Sequence, residues 1–137
     1  MSQPPRYVLD ASVGVKWFRQ EDGSTSARLL QQRFIVGEAW LAAPTHFVHE
    51  VLATVKREKR PDAVLDAWRI IQASGITIIS LSDEVIVEAV RQCEALGCSF
   101  YDSLAPACAS LLGATLASAD ARAHGAYPGV HMIGAEE

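Results

Sequence analysis

Four acidic residues sit where a purely solvated charge has little reason to be. Asp10 ends the apolar run Tyr7-Val8-Leu9, and Asp120 closes the run Thr115 to Ser118. Glu50 lies inside the helical pattern Thr45 to Glu58, and Asp102 opens the apolar stretch Ser103 to Leu112. Each falls at or near an element edge, where side chains converge on clefts. Two negative charges ~4 Å apart repel by about 1 kcal/mol in water and about 4 kcal/mol at an effective dielectric of 20. Four gathered in one place need bound protons or a bound cation. Carboxylate oxygens are hard ligands that suit Mg2+ or Mn2+, not zinc. Four are ample for one such ion and enough for two. The plain alternative makes Asp102 a helix cap and Asp10 a strand terminator.

The elements that must position these acids are legible in the pattern. Tyr7-Val8-Leu9 reads as a buried strand. Ser12 can cap a short helix through Phe18. A second helix starts at Ser24 or Thr25 and runs toward Val36, with Ala27, Leu29, Leu30 and Phe34 inward. Leu41 to Ala43 is a strand stopped by Pro44, and Thr45 caps a helix to about Glu58. Phe47, Val48, Val51, Leu52 and Val55 form its apolar stripe, which puts Glu50 on the flank of the buried face. Pro61 interrupts, and a helix from Asp62 to Ser74 ends near Gly75. Ile76 to Ile79 is the clearest strand. Ser82 caps the next helix, whose inner stripe is Val85, Ile86, Ala89, Val90, Cys93 and Leu96. Gly97 stops it. Asp102 begins an apolar helix to Leu112, Thr115 to Ser118 is a strand, and Val130 to Ile133 is a last one. Alternating strands and helices predict an α/β fold with a central, mostly parallel twisted sheet covered on both faces, in three layers. Ligands of such sheets bind outside the carboxyl ends of the strands, where Asp10 and Asp120 fall.

The bulk numbers fit a single domain over 1–137, with 1–5 and 134–137 frayed. Of 137 residues half are hydrophobic and 20% charged, which supports a real core and argues against disorder. The net charge of −4 argues against gripping nucleic acid by broad phosphate neutralisation. The segment Met1 to Arg6 lacks the layout of a signal peptide, and no apolar stretch reaches the ~20 residues that span a bilayer. A cytoplasmic location, away from membranes, is expected. Cys93, Cys98 and Cys108 show no paired spacing and read as core thiols.

Four segments carry a resemblance. Tyr7 to Phe18 (YVLDASVGVKWF), His49-Glu50-Val51, Tyr101-Asp102-Ser103-Leu104-Ala105 and Leu116-Ala117-Ser118-Ala119-Asp120 resemble the successive motifs of the PIN-domain ribonucleases. The likeness is greatest to the VapC-type toxins of toxin–antitoxin pairs and runs from about Tyr7 to Val130. Each motif alone is weak; their order and spacing together are specific. The resemblance implies a PIN-like fold and Mg2+- or Mn2+-dependent endonucleolytic hydrolysis of RNA. It makes Asp10, Glu50, Asp102 and Asp120 the acidic quartet, with Asp10, Asp102 and Asp120 as metal ligands. Ser12 and Ser118 match the hydroxyls that support the metal shell. It implies a small antitoxin that blocks the cleft, and a homodimer. Pro106 departs from the pattern. It is tolerable in a first helical turn, but further in it would kink the helix and shift Asp102.

Other residues bear on the same site. Arg57 lies on roughly the flank of Glu50, two turns on, and Arg122 follows Asp120 by two; both are candidate RNA contacts. The bland reading of Lys56 to Arg60 is a solvated helix end favoured by the dipole. His46 and His49 do not make the His-Glu-x-x-His zinc motif. His124 and His131 read as surface residues, and Trp17, Trp40 and Trp68 as packing rather than a base-stacking platform. A dehalogenase-like phosphatase needs an acid at position 12, which is Ser12. A receiver domain wants a second acid beside the first and a late lysine, and neither is evident. Two rivals keep the resemblance: an RNA-processing PIN nuclease without a toxin role, and a catalytically inactive PIN binding module.

Overall fold

Short apolar runs, each closed by a polar residue, build the central sheet. The computed structural model describes residues 3–134. Of the segments expected to fray, 1–2 and 135–137 lie outside the described residues. The order is β1 (Arg6–Leu9), α1 (Ala11–Gly14) continuing into a 3-10 turn (Val15–Trp17), α2 (Ser24–Ile35), β2 (Trp40–Pro44), α3 (Thr45–Glu58) and α4 (Asp62–Ser74). Then follow β3 (Thr77–Ile79), α5 (Asp83–Leu96), α6 (Phe100–Leu112), β4 (Thr115–Ser118), α7 (Ala121–His124) and β5 (His131–Met132). The strands lie in the order β3-β2-β1-β4-β5, and every pairing is parallel. The expected α/β fold is therefore the observed one, and its sheet is parallel throughout.

Successive strand residues alternate between two cores. Leu9, Leu41, Ala43 and Ala117 enter one cluster with Val13, Trp17, Leu30, Phe47, Val51 and Ile71 from α1 to α4 and the 3-10 turn. Val8, Ala42 and Leu116 enter the other with Val85, Ala89, Leu104 and Cys108 from α5 and α6. Helices thus cover both faces, which is why these strands are apolar on both sides. Burying each of Leu9, Leu41 and Leu116 contributes roughly 1.5–3 kcal/mol.

Several local expectations are corrected. Ser12 does not cap α1; Asp10 is the cap, and its carboxylate accepts from the Ser12 N–H at 3.0 Å. Pro44 does not stop β2 short but is its last residue, paired with Ile79. Pro44 then takes the cap position of α3, so Thr45 is the first helical residue rather than the cap. Asp102 does not open α6; Ser99 caps it and Asp102 is in its first turn. Leu29, Ile86 and Val90 face outward, not inward. On α5 the inward positions are Val85, Glu88 and Ala89, and the buried Glu88 is held by Gln92 and Arg91. Cys108 is a core thiol as expected, whereas Cys93 and Cys98 are only half-buried; all three are free. Among the described residues no helix is long and apolar enough to cross a membrane.

Candidate active site

The strand order reverses direction at β1: β2 and β3 extend to one side, β4 and β5 to the other. The crevice beyond the carboxyl ends of β1 and β4 is therefore a topological switch point, where parallel sheets leave room for a ligand. Asp10 follows β1 directly and is 7% exposed. Its backbone N–H still donates to the Ala117 carbonyl at 3.0 Å, so the β1–β4 pairing holds it in place. Asp120 stands two residues beyond β4 and caps α7, its Oδ1 accepting from the Ala123 N–H at 3.1 Å.

Two serines brace this edge. Ser12 Oγ accepts from the Ala119 N–H at 2.9 Å and lies 3.5 Å from Ser118 Oγ. Ser118 Oγ accepts from the Asp120 N–H at 3.0 Å. Both hydroxyls thus join the segment of Asp10 to that of Asp120. His124, expected at the surface, is fully buried. Its Nδ1 is 2.7 Å from Ser118 Oγ and its Nε2 2.6 Å from the carbonyl oxygen of Asp102. Sequence reasoning missed it because α7 is four residues long and offers no periodicity to read. The available signal was its place four residues after Asp120, one helical turn on, beside Ser118. His131 is exposed, as expected.

Asp102 and Asp120 line one cleft of about 370 Å³ with Gly97, Cys98, Ser99, Arg122 and Ala123. Gly97, at φ 68, makes the left-handed turn that ends α5 and opens the loop forming one wall. Ser99 caps α6 by accepting from the Asp102 N–H at 3.1 Å, which fixes the first turn. Glu50 comes from the middle of α3. Burial raises its carboxyl above the ordinary value, and the charges of Asp10 and Asp102 raise it further. Glu50 thus feels the charge of two acids from segments far apart in sequence. His46 lies one turn before Glu50, its Nε2 3.7 Å from Glu50 Oε1. Burial lowers its pKa against the opposing pull of Asp10 and Asp102, and its Nδ1 is buried without a hydrogen-bond partner.

The fold therefore couples Glu50 electrostatically to Asp10 and to Asp102, and places Asp102 and Asp120 on a shared cleft. Among the described residues, Asp10, Asp102 and Asp120 form no ion pair. No three His, Cys, Asp or Glu side chains among them stand close enough to cage a metal as placed. Arg122 is on the cleft wall. Arg57 is in the last turn of α3, exposed, and donates to Thr54 on its own helix. Trp17 is core and donates to the Ala27 carbonyl, Trp40 is half-buried beneath Arg6, and Trp68 lies on the α3–α4 side.

A family model described as "PIN domain" matches residues 7–127. No curated protein is significantly similar to the chain. Among solved structures, a toxin–antitoxin complex from Klebsiella pneumoniae superposes with a TM-score of 0.72 at 16% identity, over 92% of this chain and 96% of that one. VapBC2 from Rickettsia felis, bound to a DNA fragment from its promoter, gives 0.68 at 16% identity, over 93% and 96%. VapC20 from Mycobacterium tuberculosis, described as a sarcin-ricin loop cleaving toxin, gives 0.69 at 14% identity, over 91% and 98%. At these identities the likeness is one of fold.

Proposed function

The chain belongs to the PIN-domain family, and from that premise we propose that it is a metal-dependent endoribonuclease and the toxin of a toxin–antitoxin pair. One observation carries the reading. Glu50 is raised by the charges of Asp10 and Asp102, Asp102 and Asp120 line one cleft, and none of the three aspartates is ion-paired among the described residues. Toxin–antitoxin complexes of the same fold support the biological role.

Asp10, Asp102 and Asp120 would hold the ion, Mg2+ or Mn2+. Once bound, such an ion supplies Lewis acidity at a phosphate oxygen and lowers the pKa of a coordinated water. The chain's own groups do the rest. Glu50, from the middle of α3, orients the attacking water and takes its proton. Arg122, on the cleft wall, pairs with a phosphate oxygen of the RNA, and Arg57 offers a second contact further along the strand. Ser12 and Ser118 keep the Asp10 and Asp120 segments in register. Water oxygen bonds to phosphorus, the P–O3′ bond breaks, and O3′ takes a proton from solvent. The products carry 5′-phosphate and 3′-hydroxyl ends. A small antitoxin would inhibit by covering this cleft, and a homodimer would set two such clefts in one groove.

The test is cleavage of RNA by the purified protein with Mg2+ or Mn2+, followed by sequencing of the cut ends. Asp10→Asn keeps the cap to Ser12, since an amide oxygen also accepts, so the fold should survive while cleavage is lost. Expression of the wild type alone should arrest growth, and Asp10→Asn should not. Wild-type cleavage by Asp10→Asn removes Asp10 from the mechanism. Cleavage without growth arrest favours an RNA-processing role, and ion binding without cleavage an inactive binding module.

A further inference from the structure

Pro106 stands at the seventh position of α6, inside the helix. In an α-helix the carbonyl of residue i accepts the N–H of residue i+4. For Asp102 that donor belongs to residue 106, and proline has none; its ring also crowds the carbonyl it faces. The Asp102 carbonyl is nevertheless satisfied, because His124 Nε2 stands 2.6 Å away. A carbonyl only accepts, so Nε2 carries the proton. On the far side of the ring, Nδ1 meets Ser118 Oγ at 2.7 Å, and Ser118 Oγ accepts from the Asp120 N–H at 3.0 Å. An unbroken run of hydrogen bonds thus joins the backbone of Asp120 to that of Asp102 through one fully buried imidazole.

We propose that Pro106 and His124 are a matched pair: the proline frees the Asp102 carbonyl from its own helix, and the histidine uses it to hold Asp102 at a set distance from Asp120. This rests on the reading that both aspartates hold a divalent ion. His124 is then a positioning residue, acting through the two acids it joins. With an ordinary residue at 106, the helical N–H would share the carbonyl oxygen, which has two lone pairs, and the cross-link would be weakened by that competition. The spacing of the acids would then depend on the loop 97–99 and on α7, both exposed over much of their length.

The experiment is a double-mutant cycle read by Mn2+ affinity, measured from the spin-resonance signal of free Mn2+. The four proteins are wild type, His124→Leu, Pro106→Ala and the double variant, with melting curves to check folding. His124→Leu should weaken Mn2+ binding about 10- to 100-fold, the usual range when a group that orients metal ligands is removed. In the Pro106→Ala background the helix supplies the missing donor, so the same change should cost at least about threefold less than it does beside proline. His124→Gln keeps an N–H donor and should bind Mn2+ more tightly than His124→Leu; it carries the cycle if the leucine variant does not fold. Ring-nitrogen NMR of the wild type should find the proton on Nε2. Equal losses in both backgrounds, wild-type affinity in His124→Leu, or an unprotonated Nε2 overturns the pairing while leaving the ion site intact. A wild type that binds no Mn2+ is a different failure: it removes the ion site, and the positioning role with it.

Discussion

Half of the Glu50 side chain faces solvent, yet its carboxyl titrates above the ordinary value because of burial and the charges of Asp10 and Asp102. The consequence for stability has a definite sign. Between the ordinary and the raised value the folded chain holds a proton that the unfolded chain has released, so stability falls as pH rises through that window. Glu50→Gln removes this penalty. The variant should melt at a higher temperature than wild type at pH 7 and with little difference below about pH 4, where both carry a neutral side chain. Exposure to solvent keeps the gain small. Equal melting temperatures at pH 7 would mean that Glu50 does not sense the other acids. At this scale the sequence was informative where a residue's place along a strand decides its direction. Asp10 and Asp120 follow β1 and β4, so their edge could be read directly. His124 was not legible, because its burial is decided by Ser118 and Asp102, which only the folded chain brings near. Pro106 stood out as a departure, but its compensation comes from another element 18 positions on.

Among the elements, α1 and α3 bring Asp10 and Glu50 together, and Gly14 permits their approach. A methyl group at Gly14 would clash with Phe47 Cζ and meet Val51 Cγ2 at 2.9 Å. Phe47 is fully buried and packs edge-on against Trp17, so its ring has little room to move. Gly14→Ala should therefore destabilise the protein by about 1–3 kcal/mol, measured by denaturant unfolding, through overpacking rather than backbone strain. An unchanged midpoint would show that α3 yields freely. The elements themselves were largely readable. α4 and α5 were placed from Pro61, Gly75, Ser82 and Gly97, whose turn and cap chemistry is local. Inward faces were harder. Leu29, Ile86 and Val90 fit a helical stripe by type but turn outward, while Glu88 takes an inward place because Gln92 and Arg91 satisfy its carboxylate. Side-chain pairing of that kind leaves no trace in apolar periodicity.

For the whole molecule, the parallel sheet and its reversal at β1 explain why Asp10 and Asp120, from segments far apart in sequence, follow neighbouring strands at the same sheet edge. The net charge of −4 sharpens the point, since the 12 Lys and Arg residues fall short of the 16 Asp and Glu. On the proposed reading a divalent ion offsets the negative charge at that edge, and binding to the native state alone raises stability by mass action. The decisive measurement is the melting temperature of metal-free protein titrated with Mn2+, beside Asp102→Asn, since Asp102 is the acid common to both halves of the site. Saturation at 100 times the dissociation constant should stabilise the wild type by about 2.7 kcal/mol, and Asp102→Asn by much less at the same concentration. A wild type that melts at the same temperature with and without Mn2+, or a variant that gains as much as the wild type, would contradict the account.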